Sequence, residues 1–182
     1  MDKSKTEKLV ILGQSGSGKD FLLRKIVEKG LKPCLKWTTR PSRKFEQQGI
    51  TYNFVNESEF TQFINEDKFI AYQKFNVTPE NKETETWYYG VTKEEFENSQ
   101  VLIMTPGEFE NITPEQRKGC FVVYLDIDRK TRESRLFKRE DKNDSIKRRL
   151  DADEQDFKDF NDYDLKVRDP EFTAEDIYDL MD

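Results

Sequence analysis

Short apolar runs, each closed by glycine or by polar residues, alternate along this 182-residue chain with stretches whose apolar positions recur at helical spacing. Residues 8–12 (KLVIL) have the continuous apolar pattern of a buried strand and run into a glycine. Residues 20–29 (DFLLRKIVEK) place Leu22, Leu23, Ile26 and Val27 on one helical face, and Gly30 ends that helix. A second strand is predicted at 34–37 (CLKW), and further buried strands at 101–104 (VLIM) and 120–125 (CFVVYL). Together these runs predict an α/β fold, with an open, mostly parallel sheet covered by helices. The rhythm changes over residues 51–90, where TYNFV alternates, SEFTQFI has a helical period, and FIAYQKF and WYYGV read as strands. Such short units predict a small α+β lobe inserted into the main sheet. Residues 129–160 read as a long charged helical region, 173–181 as a closing helix, and 78–86 (TPENKETET) as a polar, acidic loop.

Composition narrows the chemistry. Charged residues (37%) outnumber hydrophobic ones (34%), so the surface is heavily charged while 14 Phe and 7 Tyr supply large apolar units for a core. The length suits a single domain with a real core and smaller lobes. A net charge of −6 argues against a dedicated nucleic-acid binder, which needs clustered cationic excess. No apolar run approaches a membrane span, and MDKSKTEK at the N-terminus does not resemble a signal peptide. A cytoplasmic protein is expected, with Cys34 and Cys120 as free buried thiols. The chain has no histidine, which excludes Ser–His and Cys–His catalysis and leaves Lys, Arg, Tyr, carboxylates and an oxygen-held metal.

Residues 13–20 (GQSGSGKD) stand between the first strand and the first helix. Gly13, Gln14, Ser15, Gly16, Ser17, Gly18 and Lys19 match the phosphate loop G-x-x-x-x-G-K, whose backbone N–H groups and helix N-terminus cradle phosphates. The usual final hydroxyl is replaced by Asp20, which has two compatible readings: an oxygen ligand for Mg²⁺, or a carboxylate that stabilises the first helical turn. Downstream, KWTTRPSRKFEQQGITYNFV holds Arg40, Arg43 and Tyr52, two guanidinium forks and a phenol that can together bind a phosphate.

With these motifs in order (GQSGSGK, TTRPSR, GITYNFV, WYYGV, SRLFKRE, SIKRRL and YDLKV) the chain resembles the guanylate kinase family over almost its whole length. The resemblance implies a three-layer αβα fold of the P-loop class, made of a core (1–35, 99–128 and 161–182), an acceptor-binding lobe (36–98) and a helical lid (129–160). It implies that the loop and Lys19 hold ATP phosphates with Mg²⁺, and that Arg40, Arg43, Tyr52 and Tyr89 hold the acceptor monophosphate. Arg135, Arg139 and Arg149 would clamp the transferring phosphoryl group from the lid. Phosphoryl transfer by such parts needs positioning and charge neutralisation, without a covalent intermediate. The partners implied are small nucleotides, with the chain a monomer or a homodimer.

The resemblance departs where the family reads guanine. The family's serine, glutamate and aspartate positions fall here on Lys36, Ala71 and Met104 (or Pro106), with Glu83 or Glu85 an alternative for the glutamate. Trp37 could stack on a base or belong to a core, and Val91 stands where a hydroxyl residue usually follows the YG pair. Losing such contacts removes the basis for guanine specificity. Three readings therefore follow: a kinase of nucleoside or deoxynucleoside monophosphates with guanine or another base; a sugar-phosphate kinase resembling ribose 1,5-bisphosphate phosphokinase, in which Lys36 meets a second phosphate; and a non-catalytic guanylate-kinase-like binding module.

Overall fold

The protein was analysed as a computed structural model that describes residues 7–43, 46–77, 83–138 and 145–180. Its elements run β1 (Lys8–Gly13), α1 (Lys19–Glu28), β2 (Trp37–Thr38), β3 (Asn53–Phe54), α2 (Glu57–Asn65), β4 (Phe69–Val77), β5 (Glu85–Thr92) and α3 (Lys93–Asn98). They continue with β6 (Val101–Ile103), α4 (Pro106–Phe109), α5 (Pro114–Lys118), β7 (Cys120–Leu125), α6 (Arg129–Lys138), α7 (Ile146–Asp156), β8 (Leu165–Val167) and α8 (Glu175–Tyr178).

The core sheet has the order β6-β1-β7-β8, and every pairing in it is parallel. Strand alternation explains why its strands are apolar throughout. Val10, Leu12, Leu102, Met104, Val122 and Tyr124 enter one cluster, with Phe96 of α3, Phe109 of α4 and Phe157 of α7. The intervening Leu9, Ile11, Val101, Val123 and Leu125 enter a second cluster on the opposite face, with Leu22 and Ile26 of α1 and Ile177 of α8. Both faces are covered, so the sheet is the middle layer of three.

A second sheet, β3-β2-β5-β4, is mixed: β2 pairs parallel with β3 and antiparallel with β5, and β4 with β5 form a long antiparallel ribbon. One of its faces is closed by α2, whose Phe60 stacks on Phe69 at 4.4 Å and lies 5.4 Å from the Tyr88 ring. Gly90 is the small residue that admits this packing, because a Cβ there would come within 2.6 Å of Phe69. Ala71 and Val91 on the other face join the core cluster, which pins the second sheet to the first.

Several expectations are corrected. The strand predicted at 34–37 does not join the core sheet: only an isolated bridge at Pro33 touches Val101, and Trp37–Thr38 already belongs to the second sheet. The charged helical region expected over 129–160 consists of two helices, α6 and α7, tied by Arg129 to Asp151 and Glu154 at 2.7 and 2.8 Å. The closing helix shrinks to the four residues of α8, although Ile177 is buried as an amphipathic helix requires. No helix among the described residues is long and apolar enough to cross a membrane.

Candidate active site

The glycine loop joins β1 to α1 and bends through left-handed backbone at Gly16 (φ 79°) and Gly18 (φ 105°). Gly16 is constrained twice, because a Cβ there would also lie 2.6 Å from the carbonyl of Arg132 on α6. Lys19 opens α1 and folds back over the loop, donating to the carbonyls of Gly13 and Gln14 at 2.5 and 2.9 Å. The backbone N–H of Ser15 donates to a carboxylate oxygen of Asp153, on α7, at 2.6 Å. An anion from the lid region thus sits on an amide of the loop. Asp20 lies exposed in the first turn of α1, where its negative charge favours the helix end.

Arg40, Tyr52 and Tyr89 converge on the opposite side. Arg40 is buried and forks onto Glu46, Nη1 to Oε2 at 2.9 Å and Nη2 to Oε1 at 2.8 Å, with its guanidinium 5.4 Å from the Tyr52 ring centre. Glu46 also accepts from the Arg43 backbone N–H at 2.7 Å, so one carboxylate organises both arginines. Burial alone would raise its carboxyl, but these bonds and the two guanidinium charges hold it below the usual carboxylate range. The Tyr52 and Tyr89 rings lie 6.4 Å apart. Burial pushes both phenols up, with the Asp20 charge adding at Tyr52, so each remains a protonated donor.

Charges reach across this space from three sides. Asp20 at the head of α1 is felt at Tyr52, and Arg149 of α7 is felt at Tyr89 together with Arg40 and Arg43. The glycine loop, the second sheet and α7 therefore border one site. Arg135 stands apart from the expected clamp: it donates to the carbonyls of Gly16, Ser17 and Pro170 at 3.3, 3.2 and 2.6 Å. It ties the loop to the chain after β8 and helps line a cavity of about 650 Å³ with Gly18, Phe21, Pro170 and Phe172. Arg139 lies outside the described residues.

The residues placed on the base side are scattered differently. Trp37 turns to α2, its ring 4.8 Å from Phe63, while Ala71 and Met104 are buried in the core cluster and offer no polar group. Lys36 alone reaches inward, and its ammonium binds both oxygens of Glu108 at 2.8 and 2.7 Å. Glu46, Glu108 and Asp153 were not singled out by sequence motifs, because each acts through partners distant in the chain or common in any polar loop.

Comparison with known proteins identifies the family of the chain. The guanylate kinase family model matches residues 5–181. The guanylate kinase of Sulfurimonas denitrificans is 29% identical over 171 residues, covering 87% of this chain and 78% of that enzyme. The guanylate kinase of Schizosaccharomyces pombe is 35% identical over 75 residues, 40% of this chain and 37% of its own length. That of Legionella pneumophila is 34% identical over 67 residues, which span 36% of this chain and about a third (32%) of that enzyme. Among solved structures, the guanylate kinase of Anaplasma phagocytophilum superposes with a TM-score of 0.65 at 18% identity, covering 98% of this chain and 86% of that one. The match over nearly the whole chain makes this protein a member of the guanylate kinase family, and so a kinase of the nucleoside monophosphate class.

Proposed function

We propose that the chain transfers the γ-phosphoryl group of ATP to a nucleoside or deoxynucleoside 5′-monophosphate whose base need not be guanine. The carrying observation is the gathering of Arg40, Arg43, Tyr52 and Tyr89 around Glu46 in a chain that keeps the complete phosphate loop. In this reading the acceptor phosphate takes charge-assisted bonds from Arg40 and Arg43 and neutral bonds from the two phenols. The donor phosphates lie on the amides of residues 13–20, displacing Asp153 from Ser15, and Lys19 leaves its carbonyls to meet them. The cavity beside Gly18 and Arg135 takes the donor base between Phe21, which is 43% exposed, and Phe172. Arg149, on α7, would bring a further positive charge to the transferred group, and neutralising the charge of that group is the principal task of such a site.

Asp20, exposed in the first turn of α1 next to the glycine loop, fits Mg²⁺ in the way such ions are usually held, by one or two carboxylates plus substrate phosphates and water. When bound, the ion would neutralise charge on the β and γ phosphates. Cytoplasmic residence is part of the same proposal.

The sugar-bisphosphate reading needs Lys36 as a second phosphate contact. The Lys36 ammonium is already paired with both oxygens of Glu108, whose side chain is 1% exposed, so its charge is largely matched before any second phosphate arrives. Against the binding-module reading stands the complete loop, with Lys19 in place. ADP release coupled to a reporter, measured over the four ribo- and four deoxyribonucleoside monophosphates, tests the proposal. Turnover with at least one is expected; ADP release only with a phosphorylated pentose would overturn it.

A further inference from the structure

The face of the second sheet that carries Tyr89 leads into a polar network that no motif marks. Thr38 and Gln73 both lie opposite Tyr89 in the strand register, and alternation places Lys36 on the face of Thr38. Ala71 and Val91 on this face close its inner end against the core. A ligand whose phosphate rested on Tyr89 and Arg40 would meet Gln73 and Lys36 if it ran along this face toward the core.

These two side chains are held rigidly. Glu108 caps α4 by accepting from the Thr105 backbone N–H at 2.8 Å, and it binds Lys36 through both oxygens. The single hydroxyl hydrogen of Thr105 goes to Gln73 Oε1 at 2.7 Å, with Glu108 Oε2 farther off at 3.3 Å. Gln73 Nε2 lies over Gly107, and a Cβ there would push the amide aside. Most of the acceptors in this network are consumed or buried: Glu108 faces protein, and one lone pair of the amide oxygen is taken by Thr105. What remains to offer is a third ammonium N–H of Lys36, whose side chain is 14% exposed, and the amide hydrogens of Gln73.

We propose that Gln73 and Lys36 read the base of the acceptor nucleotide, with Glu108 and Thr105 as positioning residues, and that they select a base edge made of carbonyl oxygens or ring nitrogens. The inference rests on the nucleotide reading above. A carboxylate would favour an edge of N–H donors; this site presents donors instead, and donor against donor leaves both unpaired. Each unmatched contact is expected to lower relative kcat/KM by roughly tenfold.

Two variants test it. Gln73→Glu places an acceptor where a donor stood, and should shift the ratios of kcat/KM among the eight monophosphates by about tenfold or more toward bases presenting N–H donors. The change should sit in KM, with kcat for each acceptor nearly constant. Gln73→Leu, which cannot leave a buried charge, should raise KM about tenfold for the acceptors preferred by the unaltered enzyme. Circular dichroism and thermal melting confirm that each variant is folded. Ratios and KM values that stay within threefold in both variants would overturn the inference while leaving the nucleotide reading intact. Failure of the unaltered enzyme to turn over any nucleotide would overturn the nucleotide reading itself.

Discussion

Two neighbouring parts of one cleft are built on opposite principles. The phosphate side gathers Arg40, Arg43, Tyr52 and Tyr89 around Glu46, and it offers a ligand strong donors that are indifferent to what the phosphate carries. The base side, a few ångströms along the same sheet face, matches its strongest charge internally: Lys36 and Glu108 satisfy each other, and only Gln73 and one ammonium N–H face outward. The difference teaches that chemistry and selectivity can be uncoupled within a fold. A kinase keeps its reaction class as long as its phosphate contacts persist, while its choice of base rests on a few neutral donors and acceptors that can be rearranged.

The largest test of that separation is Arg40→Met. It should lower kcat/KM about 100-fold for every acceptor alike, because it removes a charge from the common phosphate. It also leaves Glu46 half-orphaned, so urea unfolding should report a loss of roughly 3 kcal/mol. If Arg40→Met changed the ranking of bases, the two sides would not be separable.

Asp153→Ala should act in the opposite direction on the donor side. Freeing the Ser15 amide from its resident carboxylate should tighten ATP binding by about three- to tenfold in calorimetry, a fraction of what a charged hydrogen bond is worth. Weaker binding would instead mean that Asp153 organises the loop.

Glu46 gives a pH dependence whose sign follows from its lowered folded-state pKa. The stabilisation by a depressed carboxylate is fully present above the ordinary value of 4.5 and is lost as pH falls through the folded value. Melting temperature should therefore fall on acidification below about pH 4.5, and Glu46→Gln should flatten that part of the profile while costing about 2 kcal/mol at pH 7.

Cys34 reports on the base side most gently. Burial pushes its thiol up to about 12, so at pH 8 its reactive thiolate should be roughly 1,000-fold scarcer than in the unfolded chain, and its reaction with a thiol reagent correspondingly slow. A Lys36→Met change should slow that reaction further, because the ammonium is the main charge favouring the thiolate and its loss leaves the Glu108 carboxylate unopposed.

How much was legible in the sequence follows the same division. The glycine loop and the TTRPSR and WYYGV segments were readable because each packs its chemistry into a few adjacent residues with fixed spacing. The two core clusters were readable in outline, since alternation along KLVIL and CFVVYL sends successive side chains to opposite faces. The base-side network was not, because Lys36, Gln73, Thr105 and Glu108 come from four places in the chain and meet only when the two sheets pack. Glu108 belongs to no motif, and its side chain is 1% exposed. The strand at 165–167 was too short for periodicity to reveal, being fixed by pairing with β7. The strand predicted at 34–37 was misplaced for a related reason: Pro33 ends its contact with the core after one bridge, and the chain passes to the second sheet.

The central claim is that the phosphate side serves any nucleotide whereas the base side is rebuilt around donors. Steady-state kcat/KM for the eight common nucleoside and deoxynucleoside monophosphates, at saturating ATP, tests it most directly. The account predicts turnover of more than one base, with ratios within about 100-fold, the range that a few neutral hydrogen bonds can set. Turnover of guanine nucleotides alone, with every other base lower by about 10⁴-fold or more, would contradict it.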